Sequence, residues 1–445
     1  MERPPLPRKA MIYYGLPHLT HAVVTLPMAL FIPAFYADDM ALPLAGVGAA
    51  IAASRLLDVF IDPVIGALSD RLNTRWGRRK PWIAAGTPLL MLAVWMVFAP
   101  PGKVSLTYLL GWSTLLFLAF TLVDLPHKAW GAELSTEYHE RTHVAAWREG
   151  FGEAGQIFFL SLLVIMGLLG YSGNRHQLMA IALTIVLSLP PLVSVALAKA
   201  PEFPPERLRG DPYRGWTALA LVLRNRAFVY SLITVLLLGA AVVIQSTLHK
   251  LVLTHVVGRP EIFAPMILAE NLVSLAAIPI WITIANRAGK HRAITLAALW
   301  VGLWSLAFPL VGAGDTVLYV VLIMLRGSSF TSIFLLSNSI AADVVDHDIV
   351  ASGQHRTGLF FAVWGMAIKC AVALGVLLGT ALPAAFGFEP SAASQSVEAK
   401  LWLMVIYGWL PCLIMAFGAP LLWNFPIDHA RQKMLREQIA ARRVK

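Results

Sequence analysis

The sequence predicts an all-α membrane protein with twelve transmembrane helices, divided into two bundles of six. Apolar residues make up 58% of the 445 residues and charged residues only 13%, whereas soluble globular chains are about 45–50% apolar and about 25% charged. Because a helical crossing needs about 20 apolar residues, the chain has room for roughly twelve crossings and their loops. Lipid is therefore the expected solvent for most of the chain.

Apolar runs separated by charged interruptions give the position of each crossing. The predicted spans are residues 11–37, 42–68, 82–100, 105–130, 147–172, 177–198, 227–255, 260–286, 292–312, 316–342, 356–385 and 398–424. A polar connector at 199–226 is rich in proline and arginine, which is typical of a surface linker. The predicted organisation is one bundle over 1–198, a cytoplasmic linker over 199–226, a second bundle over 227–424 and a basic tail over 425–445.

Basic residues fall mainly in alternate loops, in the linker and in the tail, and this pattern predicts the orientation. They include Arg71, Arg75, Arg78, Arg79, Lys80, Arg207, Arg209, Arg214, Arg287, Lys290, Arg292, Arg431, Lys433 and Arg436. Because lysine and arginine mark the cytoplasmic face, we expect both termini in the cytoplasm and the protein in a bacterial inner membrane. Contact with anionic headgroups accounts for the formal charge of +10. The expected partners are a small solute and the bilayer, with no nucleic acid, and we expect the chain to act as a monomer.

The two halves also resemble each other at one place. A charged loop, Ser69 to Lys80, follows the second span, and a similar loop, Asn286 to Arg292, follows the eighth. The eighth span occupies the same position in the second half as the second span does in the first. This echo predicts duplicated six-helix bundles, an architecture that transporters use with the binding site between repeats.

Asp58 and Asp62 are the charged residues least expected inside a membrane. Each costs at least about 2.5–3.5 kcal/mol near mid-bilayer, and their i, i+4 spacing places both carboxylates on one helix face, about 5–6 Å apart at Cβ. Two neighbouring carboxylates in a low dielectric do not both stay ionised without a cation. The pair therefore predicts a site for a proton or a metal ion, and Pro63 frees a carbonyl beside it. The alternative is that one or both aspartates cap the cytoplasmic end of the helix.

Other charges in apolar runs extend the candidate list. Asp124 in the fourth span follows Thr121 by one turn, so the Thr121 hydroxyl is placed to join the aspartates; pairing of Asp124 with Lys128 is the structural alternative. Lys369 lies in the middle of the eleventh span, where a lone lysine loses its proton or finds a carboxylate. Arg326 and Glu270 pair with each other in one interpretation, and a purely structural role is an equal alternative.

A long motif carries a family resemblance. The stretch from Asp58 to Arg71 and its continuation from Arg75 to Trp82 resemble the signature of the glycoside–pentoside–hexuronide:cation symporter family, within the major facilitator superfamily. Tyr14-Gly15, Glu133-Leu134, Asp343 to Asp346 and Thr357 to Lys369 extend the resemblance over nearly the whole chain. It implies the major facilitator fold, alternating access and cation-coupled symport, usually of a sugar, glycoside or uronide.

The resemblance also implies roles for individual residues. It places the coupling cation, Na⁺ or H⁺, on Asp58, Asp62, Thr121 and Asp124, with Asp58 and Asp62 as the metal ligands if the ion is sodium. It implies that Arg148 lies near the sugar and that Lys369 approaches the cation site. We expect Asp124, Lys128, Arg148 and Lys369 to bind substrate, and the residues expected to serve coupling or gating are Lys369, Arg71, Arg78, Asp343 and Asp346.

Three positions depart from the family pattern. Ile61 replaces an asparagine that supplies an oxygen to the sodium site, which weakens the case for Na⁺ and strengthens that for H⁺. Ala22 replaces an aspartate that holds galactoside hydroxyls, and Lys128 replaces a tryptophan that stacks on the sugar ring. The loss of both argues against a galactoside, and the lysine suits an anionic substrate such as a uronide.

Two other functions compete with this one. Within the superfamily, a cation-coupled lipid or lysophospholipid carrier uses the same cation motif with an apolar cleft. A remote alternative is a Mg²⁺-dependent membrane prenyltransferase, because its diphosphate is held through aspartate-rich helices; such a site needs more carboxylates in each motif than this chain has. We therefore expect a transporter rather than an enzyme, with no cofactor besides the coupling ion.

Overall fold

A computed structural model describes residues 6–71, 74–135, 138–171, 173–203, 223–352, 357–392, 394–426 and 434. The helices of the first half are α1 (Arg8–Gly15), α2 (His18–His21), α3 (Thr25–Leu30), α4 (Ile32–Asp38), α5 (Leu44–Arg71), α6 (Lys80–Phe98), α7 (Leu106–Leu134), α8 (Tyr138–Leu168) and α9 (Asn174–Lys199). Those of the second half are α10 (Arg226–Val252), α11 (Phe263–Ala288), α12 (Lys290–Ser305), α13 (Thr316–Gly327), α14 (Phe330–Ser352), α15 (Thr357–Ala385) and α16 (Val397–Gly418).

These helices confirm the predicted all-α membrane fold. Within the described ranges, 11 helices are long and apolar enough to cross a bilayer, and the number rises to 12 when the bent pair Arg8–Leu30 and Ile32–Asp38 counts as one span. The chain divides into two compact units, one made mostly of residues before the predicted linker and one mostly of residues after it. Most of that linker and most of the basic tail lie outside the described residues.

The first span is broken into α1 to α4, and its two parts meet at an angle of 46°. Pro17, Pro27 and Pro33 lie within it, and each lacks the amide hydrogen that continues a helix. Glycines on α8 allow this irregular span to approach closely: a Cβ at Gly152 would lie 2.8 Å from His18, and one at Gly155 would overlap the carbonyl of Leu19. The close contact brings the polar face of α2 against α8.

Helix α5 positions the aspartate pair. It runs from Leu44 to Arg71 without interruption at Pro63, although Pro63 donates no hydrogen bond to the carbonyl of Val59 four residues earlier. Helix α5 packs against α7, and Ser54 of α5 and Thr114 of α7 share a hydrogen bond of 3.1 Å. This packing places the middle of α7 beside Asp58 and Asp62.

The second unit has a buried aliphatic and aromatic core contributed by α10 to α12 and by α14 to α16. Its tenth span, Thr316–Asp348, is one apolar segment of 33 residues, yet its helix is interrupted at Ser328 and Ser329, between α13 and α14. The contacts at this interruption involve Arg326 and Glu270, two of the charged residues singled out in the sequence.

Candidate functional site

The Thr121 hydroxyl joins the two aspartates of α5. Its Oγ1 lies 2.6 Å from Asp58 Oδ1 and 3.1 Å from Asp62 Oδ1, and Thr121 and Asp58 are 2% and 1% exposed. A threonine hydroxyl has a single hydrogen, so it donates to one carboxylate at a time. Three oxygens from two helices therefore converge at a buried point, and oxygen is the ligand type that a hard cation or a shared proton needs.

Arg55 completes this cluster, which we call the acidic pair site (Arg55, Asp58, Asp62 and Thr121). Its Nη1 lies 3.6 Å from Asp58 Oδ2, and its guanidinium carbon lies 4.0 Å from the centre of the Phe117 ring. With both carboxylates ionised, the four residues carry a net charge of −1. Repulsion between two charges 5–6 Å apart, the Cβ spacing of such a pair, is about 3 kcal/mol at an effective dielectric of about 20. The Arg55 charge offsets this repulsion at Asp58, and the remaining charge of −1 favours one added cation or proton.

Asp124 lies in a second cluster, together with two basic side chains. Lys128 Nζ lies 2.6 Å from Asp124 Oδ2, and Arg148 Nη2 lies 2.7 Å from Asp124 Oδ1. The structure therefore contains the pairing of Asp124 with Lys128 that the sequence offered as an alternative. Arg148 also pairs with Glu149. The side chains of Lys128 and Glu149 are 55% and 66% exposed, whereas that of Arg148 is 7% exposed. Two acids balance two bases here, and the cluster opens through Lys128 and Glu149.

Two histidines of the first span were missed by the sequence reasoning and border this second cluster. His21 Nδ1 lies 3.9 Å from Asp124 Oδ1, and His18 Nε2 lies 3.8 Å from Glu149 Oε2. His18, His21 and Asp124 bring three potential metal ligand atoms within 4.8 Å of one another. The cations on Asp124 oppose a divalent ion, since a double charge 4 Å from a single one is repelled by about 8 kcal/mol at an effective dielectric of about 20. The arrangement fits hydrogen bonding to a solute better than metal binding.

The residues expected to serve gating are only partly described. Arg78 Nη2 lies 2.7 Å from Glu133 Oε1, and Asp343 Oδ2 lies 2.7 Å from Lys290 Nζ. Both pairs lie at the charged loops that echo each other in the sequence. Asp346 and Lys369 are half-buried in α14 and α15. The side chain of Arg71 lies outside the described residues.

Arg326 and Glu270 pair within the second unit, as one interpretation of the sequence had it. Arg326 Nη2 lies 3.1 Å from Glu270 Oε1, and the two residues are 1% and 6% exposed. Neither the acidic pair site nor the cluster at Asp124 includes them.

The fold and these buried charges define a secondary transporter of the major facilitator type. The family described as "MFS/sugar transport protein" matches residues 13–429. The chain belongs to this family, and to its glycoside–pentoside–hexuronide:cation symporter group. The resemblance stated from the motif around Asp58 is thereby confirmed, and the chain is a cation-coupled symporter of the major facilitator type.

Curated relatives span nearly the same length. The glucuronide carrier protein homolog of Escherichia coli is 24% identical over 465 residues, covering 98% of this chain and 96% of the relative. The inner membrane symporter YicJ of Escherichia coli is 22% identical and covers 97% of this chain and 95% of the relative. The human sodium-dependent lysophosphatidylcholine symporter 1 is 23% identical, covering 87% of this chain and 78% of the relative.

A solved structure supports the fold independently. The crystal structure of the nucleoside transporter NupG has a TM-score of 0.64 and 15% sequence identity, and the match covers 94% of this chain and 99% of that chain. At this identity the likeness concerns the fold alone. It agrees with the all-helical architecture predicted from the apolar runs.

Proposed function

We propose that the protein couples the entry of Na⁺ or H⁺ to symport of a sugar, glycoside or uronide, with the ion at the acidic pair site. The observation that carries this proposal is the placement of Thr121 Oγ1 within 3.1 Å of both aspartates. Burial makes the net charge of −1 on the acidic pair site costly, and a bound cation or proton removes that charge. Ion binding is thus coupled to the arrangement of α5 and α7, the helices that supply the ligands.

The ligand count bears on which coupling ion is favoured. The described site offers two carboxylates and one hydroxyl, with Ile61 at the position where the family has an asparagine. Arg55 already places one positive charge 3.6 Å from Asp58. A proton needs a single acceptor, whereas Na⁺ needs several oxygens. Fewer oxygens and a resident guanidinium favour H⁺ over Na⁺, and Na⁺ remains the alternative to test.

For the solute we propose the cluster of Asp124, Lys128, Arg148 and Glu149; the substrate-binding role expected for Lys369 stays a prediction from the sequence. Exposed Lys128 and Glu149 form its open side, and the buried guanidinium of Arg148 forms its base. Carboxylates accept hydrogen bonds from sugar hydroxyls, and the basic groups suit an acidic solute. One relative in the family is named a glucuronide carrier homolog, which is consistent with a uronide.

One observation favours a lipid carrier as the second candidate. A cavity of about 440 Å³ along α8 is lined by His143, Ala146, Trp147, Gly150, Phe151 and Ala154, and its walls are mainly apolar. Such a groove accommodates an acyl chain, and relatives include lysophosphatidylcholine symporters. Uptake of a lysophospholipid, but not of any uronide, by the purified protein would favour this candidate.

We further propose a bacterial inner membrane location with both termini in the cytoplasm. The basic loops that carry Arg78 and Lys290 support this orientation through the distribution of lysine and arginine. Cysteine accessibility from either side of right-side-out vesicles measures it. Labelling of Arg8→Cys by a membrane-impermeant reagent added outside would contradict the orientation.

The decisive experiment is uptake into liposomes with imposed ion gradients. Wild-type protein should accumulate a uronide or glycoside under a Na⁺ or H⁺ gradient, and Asp58→Asn and Asp62→Asn should abolish accumulation. Asp315→Asn, at a carboxylate that accepts a hydrogen bond from the Gly312 amide in a loop, is the control and should behave as wild type. If neither gradient affects any flux and the two aspartate variants match the control, the symport proposal fails.

Solute specificity has its own test. Lys128→Ala should raise the KM for an acidic solute about tenfold, because one charge-assisted contact is lost. The KM for a neutral glycoside of the same size should change little. Unchanged uptake of the acidic solute in Lys128→Ala would count against an anionic substrate.

A further inference from the structure

Two buried histidines of α2 border the cluster proposed for the solute, and the proposed function gives neither of them a role. His18 and His21 are 7% and 1% exposed, and their ring centres lie 5.9 Å apart. His18 Nδ1 and both ring nitrogens of His21 have no hydrogen-bond partner in the described part of the chain. Buried polar groups are nearly always paired, so unmatched ones side by side are typical of a functional site that a ligand completes.

Of the two histidines, His18 has the better position to carry a charge. Its Nε2 lies 3.8 Å from Glu149 Oε2, and the Glu149 side chain forms part of the open side of the cluster. His21 stacks on the Phe120 ring, with ring centres 4.0 Å apart, and faces Asp124, which already has two cationic partners. A protonated imidazole donates from both nitrogens. His18 in that form pairs with Glu149 through Nε2 and keeps its Nδ1 hydrogen for a ligand.

The other titratable groups around His18 already have partners or lie at the open side. On α1, the Tyr14 hydroxyl donates to the His127 carbonyl at 3.0 Å, and His127 Nε2 lies 2.8 Å from the Tyr14 carbonyl oxygen. Helix α9 faces α2 through a hydrogen bond of 2.8 Å between Ser188 and Thr20, which do not titrate near neutral pH. The remaining groups, on α2, α7 and α8, are His21, Asp124, Lys128, Arg148, Glu149 and the exposed Glu153.

The fixed charges of the cluster cancel, because the two acids Asp124 and Glu149 balance the two bases Lys128 and Arg148. A neutral solute leaves this balance unchanged, whereas an anionic solute adds one negative charge to a partly buried site. An uncompensated buried charge is costly, so a group that can become positive is driven to do so. Protonation of either acid instead would weaken its ion pairs. Protonation of His18 breaks no existing hydrogen bond.

We propose that His18 is a proton-binding site that is filled when an acidic solute binds and stays empty with a neutral one. This inference rests on the proposed function, because the solute must occupy the cluster beside Glu149. The proton comes from the solvent and adds to the unprotonated ring nitrogen of His18, and it leaves when the solute leaves. The Nδ1 hydrogen of the imidazolium then donates to the solute carboxylate. An acidic solute therefore binds with one more proton than a neutral solute of the same shape.

The test compares two probes that differ only at one group: glucuronate carries a carboxylate where glucuronamide carries a neutral amide. Their dissociation constants are measured by calorimetry on the purified, lipid-reconstituted protein without an ion gradient. The pH range is about 6 to 8, well above the range near 4 where carboxylic acids titrate. Uptake of one proton weakens glucuronate binding by up to about tenfold for each unit of rising pH. Both probes share any effect of the acidic pair site, so only their difference reports on His18.

His18→Gln is the informative variant, because glutamine keeps a donor and an acceptor but takes up no proton. It should give glucuronate the pH dependence of glucuronamide and should leave glucuronamide affinity within about threefold of wild type. A purely structural role for His18 would weaken both probes equally at every pH. His21→Gln should keep the difference between the probes. His176→Gln, at an exposed histidine of α9, is the matched control and should bind both probes as wild type does.

Calorimetry in buffers of different ionisation enthalpy counts the protons directly. Glucuronate should take up as much as one proton more than glucuronamide in the wild type, and His18→Gln should remove that excess. The wild-type comparison needs no variant, so it decides the question even if a substitution unfolds the protein. The proposal is overturned if the two probes have the same pH dependence in the wild type. It is also overturned if His21→Gln, rather than His18→Gln, removes the difference.

Failure of this inference can be told apart from failure of the proposed symport. If neither probe binds, the inference fails for uronides, whereas gradient-driven uptake of another solute that Asp58→Asn abolishes would still support the symport. Glucuronate binding with the excess proton, but without uptake driven by any gradient, would refute the symport alone and leave the proton site at His18.

Discussion

Replacing Thr121 with valine tests the acidic pair site most directly. The change keeps the shape of the side chain and removes the one hydroxyl that lies 2.6 Å from Asp58 and 3.1 Å from Asp62. A hydrogen bond to a charged group contributes about 1.5–3 kcal/mol, and about 1.4 kcal/mol corresponds to a factor of ten in binding. The hydroxyl donates to one carboxylate at a time, so we expect the lower half of that range, a change of roughly 10- to 30-fold in ion affinity.

The direction of the change identifies the ion. For Na⁺, the Thr121 oxygen is a ligand, and Thr121→Val should raise the Na⁺ concentration for half-maximal uptake. For H⁺, the hydroxyl stabilises the ionised carboxylates, and its loss should shift half-maximal uptake to a lower proton concentration. The assay is initial solute uptake into liposomes as a function of Na⁺ at fixed pH and of pH without Na⁺.

A matched control separates ion binding from general damage. Thr184 on α9 donates its hydroxyl to the carbonyl of Ala180 in its own helix, so Thr184→Val removes a comparable group away from the aspartates. It should leave the Na⁺ and proton concentrations for half-maximal uptake within twofold of wild type. The placement of the ion beside Thr121 is refuted if Thr121→Val also leaves both concentrations within twofold of wild type while the protein remains folded and transports solute.

Three further predictions concern neighbouring residues. Arg55→Gln should lower the Tm markedly in thermal unfolding, because removing one partner of a buried ion pair costs about 3–5 kcal/mol. The double variant Arg55→Gln with Asp58→Asn should regain most of the lost Tm. Gly155→Ala should destabilise the first unit by about 1–3 kcal/mol through overpacking against the first span, whereas Gly167→Ala, which has open space around its Cβ, should not. Asp124→Asn should raise the solute KM at least tenfold and change the ion concentration for half-maximal uptake less than threefold; the reverse pattern in the uptake assay would make Asp124 an ion ligand.

Local spacing was sufficient to predict much of the fold and one corner of the site. Apolar runs of about 20 residues gave the spans because each must cross a bilayer of fixed thickness. The i, i+4 spacing placed Asp58 and Asp62 on one helix face regardless of how the helices pack. The pairing of Lys128 with Asp124 could be predicted as an alternative for the same reason, because the two residues are one turn apart on α7.

Contacts between distant helices could not be obtained in this way. Arg55 precedes Asp58 by three residues, so its spacing was a usable signal that was missed. His18 and His21 carried no such signal, because their position beside Asp124 and Glu149 depends on the close approach that Gly152 and Gly155 permit. The break in the tenth span was also hidden, because an apolar run of normal composition continues through it.

The location of Asp124 changes how coupling is expected to work in this chain. The resemblance implied that Asp124 is an ion ligand beside Thr121, but both of its oxygens already have cationic partners, Lys128 at 2.6 Å and Arg148 at 2.7 Å. A carboxylate held by two cations attracts a third only weakly. Asp124 and Thr121 are one turn apart on α7, and we propose that a solute that draws Lys128 or Arg148 away leaves the Asp124 charge exposed to the acidic pair site. That added negative charge raises the affinity of the acidic pair for a cation, and by linkage the bound cation raises the affinity for the solute. Helix α7 is then the element through which the two binding events favour each other.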